Sequence, residues 1–207
     1  MTYLSPASKE ALSAAVAAIE RASSAEVVIS LRPGSVPSLI PAAVAAWLGS
    51  LAGLAFLLFA PYPFSHAAIL LDTALCGLMA AASALHFPTL RRLCTPGALT
   101  RRAVQATAAA EFLERGIGQT RGRTGILVFV SQRERRARVL VDTGVKEAVP
   151  AQALVRAIAH IEDTAHRSED GLLLAQAIAG LSALLPAHLP RGEDDANELE
   201  DALCENG

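Results

Sequence analysis

Three acids lie close together along one stretch of the chain: Glu134, Asp142 and Glu147. Carboxylates gathered at a sheet edge are the ligands a hard cation such as Ca²⁺ prefers, and a bound cation could support weak phosphatase chemistry. The competing reading is plainer. Glu134 sits among Arg133, Arg135 and Arg136, and an exposed turn of that composition forms surface ion pairs of little energetic weight. The plainer reading is preferred, and no metal centre is expected.

Other candidate constellations fall short on spacing. Gly116-Ile117-Gly118-Gln119-Thr120-Arg121-Gly122 is rich in glycine, but a phosphate cradle follows a strand and opens a helix. Here the pattern runs from helix to strand. Cys94 and Arg101 suggest a thiolate phosphate loop, yet the spacer is one residue too long and no strand precedes the cysteine. His160 and His166 are six positions apart, which does not place them on one helical face. There is no Walker lysine, no HExxH and no serine nucleophile elbow. Cys76, Cys94 and Cys204 are too few and too scattered for a disulfide framework.

The elements that must position these residues are legible from periodicity. Ser5-Pro6 opens a helix over 6–22, with Leu12, Val16 and Ile19 on one face. Glu26 to Leu31 reads as a strand, stopped by Arg32-Pro33-Gly34. Thr100 to Arg115 reads as a helix with Val104, Ala108, Phe112 and Leu113 as its apolar stripe, ended by Gly116. Ile126 to Val130 is an unbroken apolar run, as expected of a strand buried on both faces. Residues 137–142 form its expected antiparallel neighbour. A helix follows Pro150, with Leu154, Val155, Ile158 and Ile161 facing the core. Another covers 170–185 and is mostly apolar.

Between Arg32 and Arg91 the only formally charged residue is Asp72. Residues 42–60 and 67–87 each approach the roughly 20 residues needed to cross a hydrocarbon core about 30 Å thick. The link Pro61–His66 allows only a tight hairpin. Asp72 is expected near the outer interface, hydrated. No signal peptide is expected, because the first apolar block begins only at Ala42 and lacks a cleavage pattern. Arg32 precedes the first span, Arg91, Arg92, Arg101 and Arg102 follow the second, and the link carries neither Lys nor Arg. The positive-inside rule then predicts a plasma-membrane protein with both termini in the cytoplasm. The net charge is −2 and 52% of residues are apolar, with a mean hydropathy of +0.37.

A strand as short as 26–31 needs a sheet, and the nearest one is built after the hairpin. The expected organisation is therefore a split domain. Residues 1–35 supply its first helix and strand, 39–90 the transmembrane hairpin, 98–190 the remainder, and 191–207 an acidic tail in which Asn197-Glu198-Leu199 could dock. Arg91, Arg92, Arg101, Arg102, Arg121 and Arg123 are the candidate contacts to lipid headgroups or to a protein partner, at about 1 kcal/mol per arginine near an anionic surface. They lack the interleaved aromatics of a nucleic-acid surface, so no nucleic acid is expected.

Several of these residues together resemble the TPM domain family, named for a thylakoid lumen protein, a photosystem repair protein and a receptor modulator. They are Phe112, Gly116, Thr120-Arg121-Gly122-Arg123-Thr124-Gly125-Ile126-Leu127-Val128-Phe129-Val130-Ser131, Glu134-Arg135, Asp142, Gly144-Val145, Ala177-Ile178, Gly180 and Asn197-Glu198-Leu199. The likeness covers roughly 110–200, and Ala25–Leu31 more loosely; it is nearest to short bacterial membrane members. It implies an α/β fold, a mixed sheet with helices on both sides, here interrupted by the two-helix transmembrane hairpin. It also implies one of three activities: acid phosphatase, calcium binding, or non-catalytic assembly of membrane complexes. The sequence departs from the metal-binding pattern at Val149-Pro150-Ala151-Gln152, where larger members carry an Asp. The expected function is a membrane-anchored, non-enzymatic module docking on a membrane complex. The alternative is a weak calcium-dependent hydrolase.

Overall fold

The computed structural model describes residues 5–192 and the short segment Leu203–Glu205. The chain divides into two compact units. One combines residues before Val36 with those from Ala103 onward, and the other is Val36–Arg102.

In the first unit, α1 (Pro6–Ala22) begins at Ser5, whose hydroxyl accepts from the Ser8 amide at 3.2 Å. Leu12, Ala15, Val16 and Ile19 recur at helical spacing and are buried. Four strands follow in the order β3-β2-β1-β4: β1 (Glu26–Arg32), β2 (Gly125–Ser131), β3 (Arg136–Val141) and β4 (Leu203–Glu205). The sheet is mixed. β1 lies parallel to β2, from Glu26 opposite Gly125 to Arg32 opposite Ser131. β2 and β3 form an antiparallel hairpin, with Ile126 opposite Val141 and Ser131 opposite Arg136. β4 runs parallel to β1. Asn197-Glu198-Leu199 and the rest of the acidic tail after Gly192, β4 excepted, lie outside the described residues.

Both faces of the sheet are covered, which explains why β1 and β2 carry apolar residues almost without alternation. Val27, Ile29 and Leu31 join Ile126, Val128 and Val130 on one face. There they pack with α1, α7 (Ala151–Arg167) and α8 (Gly171–Ala179). Val28, Leu127 and Phe129 face the other way, against Val104 and Ala108 of α5 (Gly97–Glu114) and Ile117. At the end of β1, Arg32 Nε donates to the nearly buried Glu111 of α5. β3 is an edge strand, and its Val139 amide donates to Glu162 of α7 at 3.1 Å, which covers part of that edge.

Several local expectations change. Leu113 and Val155 are exposed, because each lies next to a core residue and is turned by one helical step, about 100°, away from it. The helix expected over 170–185 is broken: α8 ends before Gly180, and a short α9 (Leu181–Leu184) follows. Thr143-Gly144, just past the hairpin strand, opens a further helix, α6 (Thr143–Ala148).

The second unit is a helical hairpin of α2 (Leu39–Phe59) and α3 (His66–His86), followed by the short α4 (Pro88–Leu93). Both long helices have 21 residues, enough to cross a membrane by length and composition. Small residues hold them together. A Cβ on Gly49 would sit 2.5 Å from that of Ala80, and one on Gly53 would sit 2.9 Å from the Cys76 sulfur, so small residues let the two backbones approach closely. Ser65 caps α3, accepting from the Ala68 amide at 3.2 Å. Arg91 of α4 turns back on the C-terminal end of α3 and donates to the Leu85 carbonyl at 2.6 Å.

Candidate functional site

The residues best placed to do chemistry lie where β2 begins and β3 ends. Gly116 takes a left-handed φ of 63°, ends α5 and starts a single 3-10 turn over Ile117–Gln119. Ile117 is fully buried beneath it. The loop then runs to β2 through Thr120, whose hydroxyl accepts from the Thr124 amide at 3.0 Å. The Thr124 hydroxyl in turn donates to the Ser24 carbonyl at 2.7 Å. Gly144 packs so close to this loop that a Cβ there would lie 2.9 Å from the Arg123 carbonyl, and its amide donates to that same oxygen at 3.0 Å.

This close approach brings Arg123 and Asp142 together. Arg123 adopts a φ of 52°, uncommon for a residue with a Cβ. Its Nε donates to Asp142 Oδ2 at 3.1 Å and its Nη2 to Oδ1 at 3.3 Å, a bidentate pairing. Oδ1 also accepts from the Thr143 amide at 2.7 Å, capping α6. The Asp142 side chain is 6% exposed and that of Arg123 60%. Both carboxylate oxygens are engaged, so a cation would have to displace the guanidinium to reach them. The arrangement is a clamp that ties the loop before β2 to the end of β3.

Two opposing influences act on the Asp142 carboxyl. Burial alone would raise its pKa, but hydrogen bonds from Arg123 and the Thr143 amide, together with the Arg123 charge, hold it below the usual carboxylate value. Such a group contributes stability above its unfolded pKa, about 3.9, and the contribution is lost as pH falls through the lower folded value. Asp142→Asn should therefore lower stability at pH 7 by about 1 kcal/mol, and the gap to the parent should close on acidification below pH ~4. Urea midpoints of the two chains across that range check this. Glu20 has the opposite sign, raised mainly by desolvation, but it contributes equally to both chains.

The three acids do not come together. Asp142 caps the far end of β3, whereas Glu134 lies in the turn between β2 and β3. The intervening strand of six residues spans about 20 Å at the usual rise. Glu134 accepts from the Ser35 amide at 3.0 Å and bonds the Ser131 hydroxyl, which fastens the exit of β1 to that turn. Glu147 is exposed on α6. Among the described residues no group of three or more His, Cys, Asp or Glu side chains is arranged to hold a metal. His166 Nδ1 lies 3.1 Å from the Arg135 carbonyl, and His160 is exposed on α7.

The six candidate arginines fall into two sets. Arg91, Arg92, Arg101 and Arg102 belong to the hairpin unit, Arg121 and Arg123 to the sheet unit. Arg92, Arg101, Arg102 and Arg121 are exposed, and Arg91 and Arg123 make the hydrogen bonds described above. Sequence reasoning missed the pairing of Arg123 with Asp142 and that of Glu162 with β3. The first was readable in principle from strand register. The Asp142 amide donates to the Gly125 carbonyl at 3.0 Å, so the residues just before Gly125 must lie beside Asp142.

No family model matches the chain, and no curated protein matches it. Among solved structures, the fold is similar to that of the BA42 protein from the psychrophilic bacterium Bizionia argentinensis, determined by NMR. The TM-score is 0.58 at 13% sequence identity, covering 99% of this chain and 96% of that one. At that identity the likeness concerns the fold alone.

Proposed function

We propose that this chain is a membrane-anchored, non-catalytic module of the TPM type that docks on a protein complex in the bacterial plasma membrane, with both termini in the cytoplasm. The observation that carries the reading is the surface of the hairpin. Trp47 is 66% exposed, Phe56 72%, Leu70 74% and Leu78 69%. A helix pair in the core of a soluble protein buries such side chains, and water is a poor solvent for a contiguous surface of them. Lipid is the solvent that suits it. The non-catalytic part of the reading is supported by the engaged oxygens of Asp142 and its distance from Glu134. The TPM assignment is supported by the sequence motif from Thr120 to Ser131.

Membrane extraction is the direct test. The full chain should stay with the membrane pellet in alkaline carbonate and leave it in mild detergent; recovery in the soluble fraction would end the anchored reading. Calcium at low millimolar concentration should leave the melting temperature of the detergent-solubilised protein unchanged. Phosphatase turnover should not exceed that of an Asp142→Asn/Glu147→Gln variant. A calcium shift abolished by that double substitution would instead favour the hydrolase.

A further inference from the structure

The hairpin carries one feature that the anchoring role does not use. We propose that Asp72 is a docking contact, pairing within the membrane with a Lys or Arg on a transmembrane helix of a partner protein. This rests on the membrane-anchored reading above and names the surface through which docking occurs.

Asp72 lies six residues into α3 from His66, about 9 Å along the axis at 1.5 Å per residue. The 21 residues of α3 span about 31 Å, close to the hydrocarbon thickness. The helix therefore has little slack with which to raise Asp72 to the headgroups. The hydrated interfacial position expected from the sequence thus gives way in this proposal to one inside the hydrocarbon. An aspartate side chain is also too short to reach up over that distance, unlike the long Lys and Arg chains that snorkel.

Gly49 and Gly53 of α2 meet Cys76, Ala80 and the Thr73 backbone, so those positions mark the α2-facing side of α3. Asp72 lies about 100° from Thr73 and about 40° from Cys76, at the margin of that side, and is exposed. Leu71, Leu75 and Met79, all exposed, lie beside it on the outward side. The carboxylate thus stands on the flank of the hairpin among lipid-facing side chains.

No other formally charged residue lies between Arg32 and Arg91, so the hairpin has no basic side chain of its own at that depth. Among the described residues the Asp72 side chain takes part in no hydrogen bond or ion pair. A carboxylate in such a place is costly to keep and marks a functional contact by default. A second copy of this chain meeting it through the same flank would bring two carboxylates together, so the complementary occupant is a basic side chain. That residue should lie about two turns in from the outer end of its own helix, at the depth of Asp72.

The test places a photo-crosslinking amino acid at Met79 in the full chain, in native membranes, and compares Asp72, Asp72→Glu and Asp72→Leu. The expected result is a crosslinked product retained with Glu and reduced at least tenfold with Leu. Its partner should carry a basic residue in a membrane helix, and exchanging the two charges should restore the product. Equal crosslinking in all three chains, a product consisting only of two copies of this chain, or no protein product at all would each overturn the proposal. Carbonate extraction of the same samples separates the two failures. If Asp72→Leu remains in the membrane pellet without any change in crosslinking, only the docking contact is wrong; loss of the parent chain from the pellet would refute the anchoring itself.

Discussion

A chain carrying Val28→Asp is expected to lose the whole sheet, including the strands that follow the inserted hairpin. Val28 is buried in β1 and packs within the cluster formed by Leu127, Phe129, Val104 and Ala108. Val28 pairs with Leu127 of β2 and is only 4% exposed, so a carboxylate there has no path to water. An unpaired charge there costs several kcal/mol, a large part of the roughly 5–15 kcal/mol that holds a domain folded. Hydrogen exchange read by mass spectrometry localises the effect. Amides of β2 and β3 should lose protection together with those of β1, while α2 and α3 keep theirs, since the hairpin packs within its own unit. Parental protection in β2 and β3 would show that the later strands fold without the first, and so would cooperative folding of residues 100–207 alone.

The second large effect concerns topology and is nearly all-or-none. A reporter active only outside the cytoplasm should give signal when fused at Pro63, in the link between α2 and α3, and none when fused at Gly207. The link contains no Lys or Arg, whereas Arg91, Arg92, Arg101 and Arg102 follow the second helix closely. Each would have to cross the bilayer for the opposite arrangement, against the bias that basic residues impose on insertion. Signal at Gly207 with none at Pro63 would reverse the orientation. Signal at both positions would mean that only one of the two helices spans the bilayer.

Some features followed from the sequence because their causes are local. α1, β1, β2 and the two hairpin helices were readable from apolar spacing, capping residues and the absence of charge. Ser5-Pro6 starts a helix whatever it later packs against, and Ile126 to Val130 can hardly face water. The mixed sheet with helices over both faces agrees with the expected fold class. Val155 and Leu113 show where the same reasoning fails. Both are apolar and adjacent to core residues, but the helix turns them outward, and a count of apolar residues cannot see that angle.

The candidate site was hidden for a different reason. Glu134, Asp142 and Glu147 are neighbours in sequence and looked like a cluster, yet a strand is extended, and six residues of β3 put two of them at opposite ends of the sheet. Arg123, a candidate lipid or partner contact from the sequence, lies against an aspartate nineteen positions away. The parallel pairing of β1 with β2 also depends on contacts across the inserted hairpin. The sequence by itself determined which segments are helix, strand and apolar span, because periodicity and capping act within a few residues. Only the tertiary structure decided that Asp142 is locked by Arg123 and kept apart from Glu134, because strand register and the close approach at Gly144 set those distances, and neither leaves a local mark on the chain.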